Sequence, residues 1–185
     1  MVRKPLIPQK IPAAATQELP ISTVHRDRAL ALLDFSHGLT LGLLKDVPAD
    51  KMTYQPSPTD NHFVWTFGHL ASTYSWLKSL VDGQMHPLPD SYNALFGMGS
   101  KPTPDPKGYP SFAAVKKHSD EAYAAFVAAV KKQNDAELLK PTVADSHGFA
   151  SDRLDAVAKG AWHDGWHGGQ LASIRKSLGI KNIIG

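Results

Sequence analysis

Apolar residues recur with a helical period in four separate stretches of this 185-residue chain, and no segment alternates with the two-residue period of a strand. A helix with one apolar stripe must bury it against another helix, so four such stretches joined by long connections predict an all-α fold, a four-helix bundle with long crossover loops. The first helix is expected from a cap at Ser22 or Thr23 to about Asp46, carrying Leu30, Leu33, Leu41 and Leu44, with Pro48 stopping it. Asp60 is placed to cap a second, Asn61 to about Val81, ended by Asp82-Gly83. Ser111 caps a third, with Phe112, Val115, Tyr123, Phe126, Val127 and Val130 on its apolar face, reaching about Gln133. Ser151 or Asp152 opens the fourth, which runs to Leu178 and meets Gly179 where a left-handed cap belongs, with Arg175 and Lys176 favouring the dipole of its last turn.

Between these stretches the chain is punctuated by proline. Residues 1–20 hold four prolines and no helical period and read as an extended arm, leaving 21–185 as the bundle domain. Residues 84–110 hold six prolines around Tyr92, Leu95, Phe96 and Met98, too long for a plain connector: either a lid or an apolar loop covering one end of the bundle. A short helical turn is expected at Ala136 to Leu139, before Pro141.

The absence of cysteine removes disulfides, thiol nucleophiles and thiolate metal ligands together, so any bound metal must use His, Asp, Glu or water. The net charge of +3 comes from scattered basic pairs such as Lys116-Lys117 and Lys131-Lys132, which read as solvated helix faces and predict no specific nucleic-acid partner. No apolar run approaches the roughly 18 residues that span a bilayer, and prolines break the N-terminus where a signal peptide would need an apolar core. No membrane role and a cytoplasmic location are expected.

Chemistry concentrates in Ala161-Trp162-His163-Asp164-Gly165-Trp166-His167-Gly168-Gly169-Gln170. His163 and His167 are one helical turn apart, so their rings can converge on one point, and they share a stripe with Gly160, Leu171 and Ile174 that faces inward. On the second helix His62, Trp65, His69, Trp76 and Leu80 share a stripe, which makes His69 either a hydrogen-bonded core histidine or the natural third ligand to such a pair. Three neutral imidazoles with an open position describe a catalytic type of site for zinc or a similar divalent ion. All four tryptophans, Trp65, Trp76, Trp162 and Trp166, flank these histidines, either as the wall of a dry pocket or as ordinary bundle packing. Gly68, Gly165, Gly168 and Gly169 are expected to let the second and fourth helices approach or to leave room for a ligand. Asp34 and His37, three apart on the first helix, are a further ligand pair or an ordinary side-chain pair, and His118 a surface or boundary residue.

The segments Trp65-x-x-Gly68-His69-Leu70-Ala71, with Trp76 downstream, and His163-x-x-x-His167-x-Gly169-Gln170-Leu171-x-x-Ile174-Arg175-x-x-Leu178-Gly179 resemble the DinB/YfiT-like superfamily of metal-dependent enzymes, over about residues 25 to 180. The resemblance implies a four-helix bundle holding a divalent metal, often nickel or zinc, on His69, His163 and His167, and a homodimeric assembly. It also implies chemistry of the kind performed by thiol-dependent transferases and isomerases, in which the metal activates a low-molecular-weight thiol.

Two functions of different class follow. As an enzyme, the chain would use the metal to lower the pKa of a water or of an exogenous thiol acting on a small-molecule substrate, as a hydrolase or a thiol-dependent transferase. Asp164 points about 100° from the histidine face and is a poor general base, while His62 or Gln170 would serve to orient ligands. As a non-enzymatic bundle, the chain would bind metal without turnover, in a structural or stress-related role.

Overall fold

The computed structural model describes residues 21–181 and 183; the N-terminal arm at 1–20 lies outside them. Six α-helices make up the regular structure, α1 (Val24–Gly42), α2 (Phe63–Asp82), α3 (Ser91–Phe96), α4 (Phe112–Lys131), α5 (Asp135–Leu138) and α6 (Arg153–Ser177), and the described residues contain no strand. The four long helices form the expected bundle. α2 packs against both α4 and α6, α1 packs against α6, and a narrower contact between α1 and α4 closes the ring. No helix among the described residues is long and apolar enough to cross a membrane.

Local chemistry sets the helix ends. Ser111 and Asp152 cap α4 and α6 by accepting the amides of Ala114 and Asp155, and Gly83 and Gly179 take the left-handed conformation after α2 and α6. The start of α2 differs from expectation. The cap is His62, fully buried, whose Nδ1 accepts the Trp65 amide at 3.1 Å while the opposite nitrogen donates to the Thr103 carbonyl at 3.0 Å. Asp60 instead accepts the Ser57 amide at 2.9 Å, two residues too early to reach the helix. His62 therefore belongs to the α2 boundary and takes no part in the stripe that carries His69. The α1 helix ends at Gly42, earlier than Pro48 requires, with Thr23 at its start bonding Asp27 in place of a free amide.

Arg175 stands in the last turn of α6 as expected, but its side chain turns inward. It is 1% exposed, and its guanidinium donates to the carbonyls of Leu43 (2.8 Å), Lys45 and Lys181 (2.6 Å). The cation of α6 thus satisfies carbonyls left open beyond the C-terminus of α1, which has no basic residue in its own last turn.

The core divides into two apolar clusters. One holds Leu33, Leu70, Tyr74, Leu77, Phe126 and Val157; the other holds Phe63, Phe67, Tyr92, Phe96, Val115 and Leu171. The 84–110 segment is a packed crossing that contributes to the second cluster through α3: Phe96 is fully buried and lies against Gly68 of α2, where an added Cβ would stand 2.4 Å from its ring. Along α2 and α6 the two clusters meet at His69 and at His163–His167, so the histidines occupy the polar waist between them.

Candidate metal centre

The three histidines singled out by spacing come together between α2 and α6. Their ligand atoms all lie within 4.8 Å of one another, with Nε2 of His69 and Nε2 of His163 3.2 Å apart. The ring centroids form a triangle with sides of 5.1, 5.0 and 4.6 Å.

Hydrogen bonds fix which nitrogen two of the rings offer. His69 donates Nδ1–H to the Phe96 carbonyl at 2.8 Å, which leaves Nε2 as a lone pair. His167 donates Nδ1–H to Gln170 Oε1 at 2.9 Å, and the same oxygen accepts Asn61 Nδ2 at 3.0 Å, so the amide is held from two sides. His163 Nδ1 is buried with no partner. Gln170 therefore has the orienting role considered for it, and His62 does not.

Burial lowers all three basicities. Desolvation is the largest cause in each: His163 is brought down to about 3 and His167 to about 4, both further depressed by their histidine neighbours, and His69 is lowered against the opposing pull of the Phe96 carbonyl. The rings are thus neutral near pH 7 and have lone pairs directed at a common point. Neutral lone pairs at such distances repel unless a cation or proton lies between them, and the donor set of three imidazoles suits zinc, nickel or a similar divalent ion.

Other expectations are corrected. Of the four tryptophans Trp65 packs most closely on the cluster, stacked on His69 with centroids 4.7 Å apart and its indole N–H on Ser100 at 2.8 Å, while Trp162 meets the edge of the cluster with its ring 6.4 Å from that of His163. Trp162 and Trp166 are 57% and 58% exposed, because α6 has its outer surface at those positions, and Trp76 packs on Phe149 away from the site. The glycines do not bring α2 and α6 together as a set. Gly68 makes room for Phe96, Gly168 lies against Thr40 of α1, and Gly165 and Gly169 border a groove with Ser36 and Leu39 of α1.

Asp34 and His37 do not form a ligand pair. Asp34 accepts the Tyr123 hydroxyl, while His37 stacks on Tyr123 at 3.7 Å and reaches Asp164 Oδ2 at 3.1 Å. His118, half-buried, shares a hydrogen bond with the Tyr92 hydroxyl and stands at the boundary as expected. Asp164 is fully buried on the core side of α6, with the Tyr74 hydroxyl donating to its Oδ2. Its offset from the histidine face was legible; its burial was not, because it depends on α6 being wedged between α1 and α2. Nothing in the sequence marked Tyr74, the Phe96 carbonyl or Asn61 as participants, since each acts through a partner distant in the chain.

No curated protein matches the chain. The sequence model of the DinB superfamily matches residues 32–171, which contain the pair on α6, His69 and Asp164 alike. Covering more than half of the sequence and the whole of the histidine cluster, that match establishes that the chain belongs to the DinB superfamily.

Proposed function

We propose that the chain is a divalent-metal-dependent enzyme in which His69, His163 and His167 bind zinc or nickel. The carrying observation is the convergence of three neutral imidazoles, two of them held in the required tautomer by Phe96 and Gln170. A divalent ion held there supplies Lewis acidity, which brings the pKa of a water or a low-molecular-weight thiol toward neutrality. The surrounding residues fix the ligand rings, and Trp65 shields His69 from solvent along one ring face. A protein-supplied thiol is excluded by the lack of cysteine, so a thiol-transfer reaction draws its thiol from solution. The reaction is accordingly hydrolysis or thiol transfer on a small-molecule substrate.

A homodimer is part of this reading. Leu32 and Phe35 of α1 and Trp162 and Trp166 of α6 are more than half exposed on two helices that pack together, and the apolar groove of Leu39, Leu43 and Ala172 lies along the same pair. Light scattering on the purified chain tests it: a monomer at micromolar concentration rejects the dimer.

Elemental analysis of protein purified without a His-tag tests the centre. About one equivalent of metal is expected, lost in His163→Ala; less than a tenth of an equivalent in both proteins rejects it. Metal-loaded protein is then assayed against thiol-transfer and amide- and ester-hydrolysis substrates beside His69→Ala. Turnover that depends on His69 supports the enzyme, and its absence with every class favours the metal-binding bundle without turnover.

A further inference from the structure

Three neutral imidazoles bring no negative charge to a dication, and the described residues place no carboxylate within the histidine cluster itself. One carboxylate lies directly behind it. Asp164 follows His163 in sequence, yet it is turned about 100° around α6 and is fully buried. Burying an ionisable group this completely is costly unless its charge is matched. Among the described residues no lysine or arginine pairs with it; its one ion-pair contact is His37, 3.1 Å from Oδ2. The Tyr74 hydroxyl converges on that same oxygen, and burial beside Asp164 pushes Tyr74 well above the usual phenol range, so Tyr74 remains a neutral donor. Oδ1 has no hydrogen-bond partner at all.

We propose that Asp164 is the charge-balancing residue of the metal centre, a buried carboxylate positioned by Tyr74 and His37 whose negative charge stabilises a dication held by His69, His163 and His167. This rests on the three-histidine reading above. Asp164 touches neither the ligand nitrogens nor a substrate; it is a positioning residue that acts through space. Asp164 adjoins His163 on α6 and stands three residues, less than one turn, before His167, so its carboxylate lies beside both ligand positions of that helix. The low-dielectric surroundings that make its burial costly also keep its field from being screened. The arrangement turns the ligand imidazoles of α6 toward His69 of α2 and their counter-charge toward His37 of α1, with Thr40 of α1 donating to the Asp164 carbonyl at 3.3 Å to hold the turn against its neighbour.

The test is metal affinity in the full chain, measured with cobalt(II) and zinc(II) by competition against a chelator, together with the visible spectrum of the cobalt form. In Asp164→Asn the three imidazoles remain, so the cobalt spectrum should persist while affinity falls at least tenfold, within the roughly 10- to 100-fold range of outer partners of metal sites. Tyr74→Phe keeps the charge and removes a hydrogen bond; it should lower thermal stability yet leave affinity within about threefold of the wild type. Should Asp164→Asn fail to fold, the apolar triple variant Asp164→Leu, Tyr74→Phe, His37→Leu replaces the whole buried network, an exchange that is often tolerated, and the same tenfold loss is expected. Affinity within threefold of the wild type in the folded variant lacking the carboxylate overturns the proposal, as does an equal loss in Tyr74→Phe, which would make the network merely structural. A wild-type protein that binds neither metal overturns the three-histidine reading itself and is distinguishable from both.

Discussion

His69 donates its Nδ1–H to the main-chain carbonyl of Phe96 at 2.8 Å, so a ring on α2 is oriented by the segment that crosses over it. That crossing is held down because Gly68 leaves space for the Phe96 ring, which is fully buried and packed edge-on to Tyr92 and flat against Tyr109. The residue that fixes a candidate ligand is thus itself fixed by the glycine preceding that ligand.

Gly68→Ala should therefore act on stability and metal binding together. Alanine gains roughly 1 kcal/mol of helix propensity, but its Cβ would stand 2.4 Å from a ring that has nowhere to go. Overpacking of this kind costs about 1–3 kcal/mol, so a net loss is expected by thermal melting. Displacement of the Phe96 carbonyl should also weaken zinc binding, and a variant as stable as the wild type with unchanged affinity contradicts the arrangement.

Gln170 supplies the equivalent restraint on His167. Its Oε1 accepts from both His167 and Asn61, and Gln170→Leu removes that acceptor while filling a similar volume. Metal affinity should drop by about 10- to 100-fold, with little change in the melting temperature of the metal-free protein because Gln170 is only half-buried. Chelator competition and calorimetry on the same samples separate the two effects.

The parts of this site that could be read in the sequence are those set by local periodicity. Spacing of four places His163 and His167 on one face whatever surrounds them, and an aromatic stripe carries His69 inward. The bundle was legible for the same reason, along with the caps at Ser111 and Asp152 and the left-handed residues Gly83 and Gly179. What periodicity cannot encode is which neighbour a helix face meets. Trp162 and Trp166 looked like walls because they adjoin histidines in the chain, yet one residue is a rotation of about 100°, enough to put them on the outer surface. The same rotation buries Asp164 only because α1 covers that side of α6. His62 displaced Asp60 as the cap of α2 because its second nitrogen found the Thr103 carbonyl, a contact made across 41 residues.

Arg175 gives a prediction independent of any metal. Its guanidinium serves carbonyls on two segments beyond the ends of α1 and α6. Arg175→Met fills the space but leaves buried carbonyls without donors, at a cost of about 3 kcal/mol given hydrogen bonds to a charged group. For a chain of this length that corresponds to a fall in melting temperature of roughly 6–12 °C. Arg175→Lys should not restore it, since one ammonium cannot reach three divergent acceptors as a planar fork does. Metal content should be unchanged in both.

Acid should loosen the metal-free protein through the histidine cluster. Desolvation holds His163 at about 3 and His167 at about 4 in the folded chain, with His69 also lowered, whereas in the unfolded chain each titrates near 6.5. Between those values the unfolded state binds more protons than the folded one, so stability rises with pH across the window. The contribution is complete above about 6.5 and is lost progressively as pH falls toward 4 and 3. The melting temperature of metal-free protein should accordingly decline from pH 7.5 to pH 5, and less steeply in the triple variant His69→Ala, His163→Ala, His167→Ala. His62, lowered to about 4 by its burial at the start of α2, contributes in the same direction and remains in that variant, so the slope should shrink without vanishing. Metal reinforces the trend, because protons and the dication compete for the same lone pairs: the stabilisation by added zinc should be large at pH 7.5 and gone by about pH 4. An equal slope in wild type and triple variant would show that the cluster is not what titrates.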